Sequence, residues 1–78
     1  MTVLEQLRIL LREYTGDSGL RIERDTVIAA GLGLDSYDLA SLLGEAEERF
    51  DMTIPDRVVL GMLTVGDMAD YIEKHTKS

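Results

Sequence analysis

Apolar positions along the chain recur at helical spacing. Val3, Leu4, Leu7, Leu10, Leu11 and Tyr14 fall three and four residues apart and predict one amphipathic helix. Thr2 and Glu5 match a capping box at its start, and Gly16 is placed to end it. A second stripe, Leu39, Leu42, Leu43, Ala46 and Phe50, predicts a helix over residues 36–50. Asp35 is its expected N-cap and Asp38 sits three residues on, which puts Ser36 in the first helical turn. Val65, Met68, Ala69 and Ile72 form the inner face of a last helix that begins at Thr64, with Asp67 repeating the capping pattern. Lys74, His75 and Lys77 place positive charge at its C-terminus, where it complements the helix dipole.

The segments between are less regular. Residues 16–34 contain Gly16, Gly19, Gly31 and Gly33, and they form a long connection. Leu20, Ile22, Val27, Ile28 and Leu32 are expected to tack it onto the core, with a short turn of helix over residues 25–30. Met52, Ile54 and Pro55 read as an extended link, because a residue before proline avoids the helical region. Asp56 is placed to cap a short segment ending near Gly61. Gly44 interrupts the second stripe's helix at a cost of about 1 kcal/mol relative to Ala, so a bare surface there is either useful or tolerated. The predicted fold is all-α: a four-helix bundle of three main helices and one short one, with a long first loop, in a single domain spanning residues 1–78.

Composition narrows the function. Fifteen acids oppose eight bases, for a formal charge of −7. Nucleic acid is a poor partner for such a chain, and partners with basic surfaces are favoured. The longest apolar run, Val58 to Leu63, falls far short of the roughly 18 residues that span a bilayer. The start of the chain lacks the basic and apolar stretches of a signal peptide, so a cytoplasmic, monomeric protein is expected. With no cysteine and a single histidine, thiolate metal sites are excluded and a Ser-His-Asp arrangement depends on His75, which reads as a frayed terminal residue. Neither Asp17-Ser18-Gly19 nor Asp35-Ser36-Tyr37-Asp38 continues as a calcium loop, and no glycine-rich phosphate loop is present. No metal and no catalytic residue are predicted.

What remains is Ser36, a hydroxyl at a loop-to-helix junction. Free backbone N–H groups and the dipole at such a position suit a phosphate. On these grounds alone, plain helix capping by Asp35 and Ser36 is the favoured reading, because capping is the commonest job for these residues.

The stretch Leu32-Gly33-Leu34-Asp35-Ser36, followed by Asp38, resembles the attachment motif of acyl carrier proteins. Glu47-Glu48-Arg49-Phe50-Asp51, then Ile54-Pro55-Asp56, resembles that family's end of helix two and the loop that follows it, and Thr64-Val65-Gly66-Asp67 with Tyr71-Ile72 resembles its last helix. The resemblance implies a carrier that is not an enzyme. Ser36 would bear 4′-phosphopantetheine, delivered from coenzyme A by a phosphopantetheinyl transferase, and Asp35 would belong to the motif. Acyl groups would be held on the arm as thioesters and presented to fatty-acid or polyketide enzymes with basic docking patches. The matching docking positions are Asp35, Tyr37, Asp38, Ser41, Glu45, Glu47 and Glu48, with Arg57 on the short third segment. Leu42, Ala46, Met62, Leu63, Met68 and Ala69 are the expected walls of an acyl pocket. Tyr37 stands where the family usually has an aliphatic residue, Ser41 where glutamate is common, and Arg57 in a usually acidic segment. These departures fit a specialised pathway as well as fatty-acid synthesis. An aminoacyl or peptidyl carrier, and a carrier-like module that never receives the arm, remain alternatives.

Overall fold

The computed structural model describes residues 2–59 and 61–76, apart from the Asp56 side chain. The predictions that fall on Leu60, Lys77 and the Asp56 cap lie outside the described residues. Five helices follow one another: α1 (Val3–Thr15), α2 (Ile28–Leu32), α3 (Ser36–Phe50), α4 (Asp56–Val59) and α5 (Val65–His75). The all-α expectation holds, with three long helices. The difference is a second short helix, α2, which starts three residues later than the expected turn, because Val27 is held in extended backbone as its N-cap.

Each long helix starts at the capping box its sequence announces. Thr2 with Glu5, Asp35 with Asp38, and Thr64 with Asp67 each exchange two side-chain-to-backbone hydrogen bonds. These bonds satisfy amides that a helix start leaves without partners. Gly16 and Gly33 end α1 and α2 in the left-handed conformation, which glycine adopts without strain. α3 instead ends on Asp51 at φ 52°, the one non-glycine residue with positive φ among the described residues.

The core joins all the elements. Leu7, Leu10 and Leu11 of α1 pack with Leu42, Ala46 and Phe50 of α3, and with Val65, Met68, Ala69 and Ile72 of α5. Ile22, Ile28 and Ile54 add the connections to the same cluster. Val27, expected to tack the first connection to the core, is exposed and works through its backbone. It bridges Thr64 in antiparallel fashion, and the strap is completed by Ile28 N–H to Leu63 O (3.0 Å), Val65 N–H to Thr26 O (2.9 Å) and Gly66 N–H to Arg24 O (2.8 Å). On the other side, Arg8 Nε donates to the Ile22 carbonyl (2.9 Å) and Arg12 Nε to that of Leu20 (3.0 Å). His75 is helical rather than frayed, with its ring 4.2 Å from that of Tyr71. Among the described residues, no helix is long and apolar enough to cross a membrane.

Candidate functional site

Ser36 is the first residue of α3 and is exposed. The turn that presents it is braced from both sides. Asp35 Oδ1 accepts the Asp38 N–H (2.8 Å), and Asp38 Oδ2 accepts the Asp35 N–H (3.3 Å). The Tyr14 hydroxyl, at the end of α1, donates to Asp38 Oδ1 (3.1 Å), so this helix start is tied across the bundle. Burial raises the Tyr14 phenol above its ordinary range, and the Asp38 carboxylate adds to the rise despite an opposing Ser41 contact. Among the described residues, the amides of Ser36 and Tyr37 have no acceptor in the protein. They are available to an anion attached at the Ser36 hydroxyl.

From Ser36 an open groove of about 420 Å³ runs along one flank of α3. Leu39, Ala40, Leu43, Gly44 and Glu47 form one side, and Ile54 and Val59 the other. At a 1.5 Å rise per residue, the span from Ser36 to Glu47 is about 16 Å. Its lining is mainly apolar, and Gly44 leaves it unobstructed: a Cβ added there meets nothing within 4 Å. At the far end, Glu47 turns back to accept the Ile54 N–H at 2.6 Å.

The residues expected to wall an acyl pocket do not line this groove. Leu42, Ala46, Met68 and Ala69 are sealed in the core, Met62 is half-buried against it, and Leu63 is 66% exposed. The groove lies one helical position away, where Leu39 and Leu43 are half-buried. The periodicity marks these two leucines as apolar, and it does not distinguish the centre of a packed stripe from its open edge.

The expected docking residues separate in a similar way. Asp35, Tyr37, Glu45, Glu48 and Arg57 are exposed, with Tyr37 at 78%. Ser41 is half-buried beside Tyr14. Asp38 has both carboxylate oxygens engaged, and Glu47 lies on the groove flank, bonded to Ile54. Neither belongs to the open acidic face. Sequence reasoning missed Tyr14 as part of the site, because its place in the α1 stripe marks it simply as a core residue.

Comparison with known proteins adds three findings. A family model described as the phosphopantetheine attachment site matches residues 5–72. An acyl carrier protein of Clostridium acetobutylicum is 31% identical over 75 residues, covering 96% of this chain and 97% of the relative. Acyl carrier proteins from two strains of Clostridium perfringens show the same identity over the same length, covering 99% of each relative.

Proposed function

Because the chain belongs to the phosphopantetheine attachment-site family, whose acyl carrier members are carriers and not enzymes, we propose that Ser36 bears the 4′-phosphopantetheine arm and that the chain presents acyl intermediates to fatty-acid or polyketide enzymes. One observation supports this reading above the others. Ser36 is an exposed hydroxyl at the start of a 15-residue helix, beside two amides with no acceptor among the described residues and at the mouth of an apolar groove. The arm, when attached, supplies the thiol on which acyl groups are held as thioesters.

The chain's own residues then have defined parts. The Ser36 and Tyr37 amides and the α3 dipole favour the phosphodiester. Asp35, Asp38 and Tyr14 hold that turn in place. Leu39, Leu43, Ile54 and Val59 offer apolar contact to a cargo chain, at about 0.8 kcal/mol for each methylene fully removed from water and less in an open groove. No side chain needs to activate Ser36, because the transferase supplies the base. Asp35, Glu45 and Glu48, with Tyr37 among them, form the face that meets a basic partner patch.

Incubation with coenzyme A and a broad-specificity transferase tests the reading. Intact mass should rise by one phosphopantetheinyl increment in the wild type and stay unchanged in Ser36→Ala. A wild-type chain that remains unmodified refutes it.

A further inference from the structure

The net charge of the chain is not spread evenly. Over residues 1–24, Glu5, Glu13, Asp17 and Glu23 are balanced by Arg8, Arg12, Arg21 and Arg24, so the whole formal charge of −7 falls on residues 25–78. Three of those arginines line one groove of about 450 Å³, formed by α1 and the first connection. Arg8 and Arg12 lie one turn apart on the same face of α1. Their Nε atoms are fixed on the Ile22 and Leu20 carbonyls, which orders both guanidinium groups. Their terminal nitrogens are left nearly free: Arg8 has one carboxylate contact, at 3.9 Å, and Arg12 has none within 4.0 Å among the described residues. Arg21, with its side chain 88% exposed, pairs only with Glu23 among the described residues. Ile9 adds a partly exposed apolar side chain to the lining.

We propose that this groove is a second docking surface, built for an acidic helical segment of a partner protein. The two ordered guanidinium groups match carboxylates one helical turn apart, and Ile9 meets an apolar residue between them. Glu5 and Glu23 also line the groove and oppose any anion, but a helix spaces its carboxylates onto Arg8, Arg12 and Arg21, which a compact anion cannot do. Glu5 stays ionised there, since the Thr2 amide and hydroxyl hold its carboxyl below the ordinary range. A second copy of this chain is disfavoured by repulsion between two bodies of charge −7. The groove is distinct from the acidic flank of α3, so the protein could be held by one partner while its α3 face meets another. The surface is independent of Ser36 and of the carrier reading.

Amide chemical-shift titration of the full chain tests it. The probe is a capped, alanine-rich helical peptide with glutamate at every fourth position. Saturable, salt-sensitive shifts are expected at Arg8, Ile9, Arg12 and Arg21. Binding should weaken about two- to fivefold in Arg21→Gln and about tenfold in Arg21→Glu, as expected for charges at an interface rim. Arg21→Gln should leave the melting temperature nearly unchanged, since Arg21 makes a single surface pair among the described residues. Absence of shifts, shifts outside the groove, equal binding of a glutamine version of the peptide, or equal binding of inorganic phosphate would each overturn the proposal.

Discussion

The same substitution at two glycines should have opposite effects, and the sign depends on local space. Gly66 is buried in the first turn of α5, and its N–H donates to the Arg24 carbonyl at 2.8 Å. A Cβ added there stands 2.9 Å from that backbone oxygen and 3.3 Å from the Arg24 Cβ. Relief requires the strap from the first connection to move away from α5. Overpacking of this kind costs about 1–3 kcal/mol, and distorting the hydrogen bond adds about 1 kcal/mol. The better helix propensity of alanine returns at most about 1 kcal/mol. Gly66→Ala should therefore destabilise by about 1–3 kcal/mol, which lowers the melting temperature by roughly 4–24 °C in a domain of this size. Gly44→Ala should stabilise by about 0.5–1 kcal/mol, because its Cβ enters open space in the middle of α3. Thermal and urea unfolding of the two variants, read by far-ultraviolet circular dichroism, checks the pair. A Gly66→Ala chain as stable as the wild type would refute the close-approach reasoning.

Three further predictions concern the caps and ties. Tyr14→Phe removes the bond to Asp38 and should cost about 0.5–1.5 kcal/mol in urea unfolding; an unchanged midpoint would mean that the tie contributes nothing. Asp51→Gly should raise the melting temperature, since Asp51 holds φ 52° at the end of α3, where glycine avoids about 1 kcal/mol of strain; a lower melting temperature contradicts this. Asp67 has its carboxyl held below the ordinary range by the Thr64 and Leu63 amides. A depressed folded value means that its contribution is present above the unfolded value and is lost as pH falls through the folded one. Asp67→Asn should accordingly flatten the fall in melting temperature below about pH 4, and an identical acid limb in wild type and variant counts against it.

The long helices were legible because their signals are local. Each capping box and each apolar stripe lies within one segment, and in all three the starting residue follows from a side chain and its N3 partner. The first connection was less legible. Its apolar anchors Ile22 and Ile28 could be picked out, but the strap to α5 joins Arg24, Thr26 and Val27 to residues far along the chain. Arg8 and Arg12, which pin it from α1, carry no local sequence signal for carbonyl partners on the first connection. Ser36 was legible as a candidate because Leu32-Gly33-Leu34-Asp35-Ser36, followed by Asp38, resembles an attachment motif; its place after an N-cap alone fits plain capping. The groove was not, since Leu39 and Leu43 look like core until the position of α4 is known. Glu47 likewise reads as an exposed docking acid, while its bond to Ile54 depends on how the chain turns after Asp51.

The central claim is that the side chain at position 36, and no other hydroxyl, accepts the arm. Peptide-level mass spectrometry of the chain after treatment with coenzyme A and transferase tests it most directly. The account predicts the added mass on the fragment containing Ser36, with sequence ions placing it on that residue. Label found on Ser18 or Ser41, or retained in full by Ser36→Ala, would contradict it.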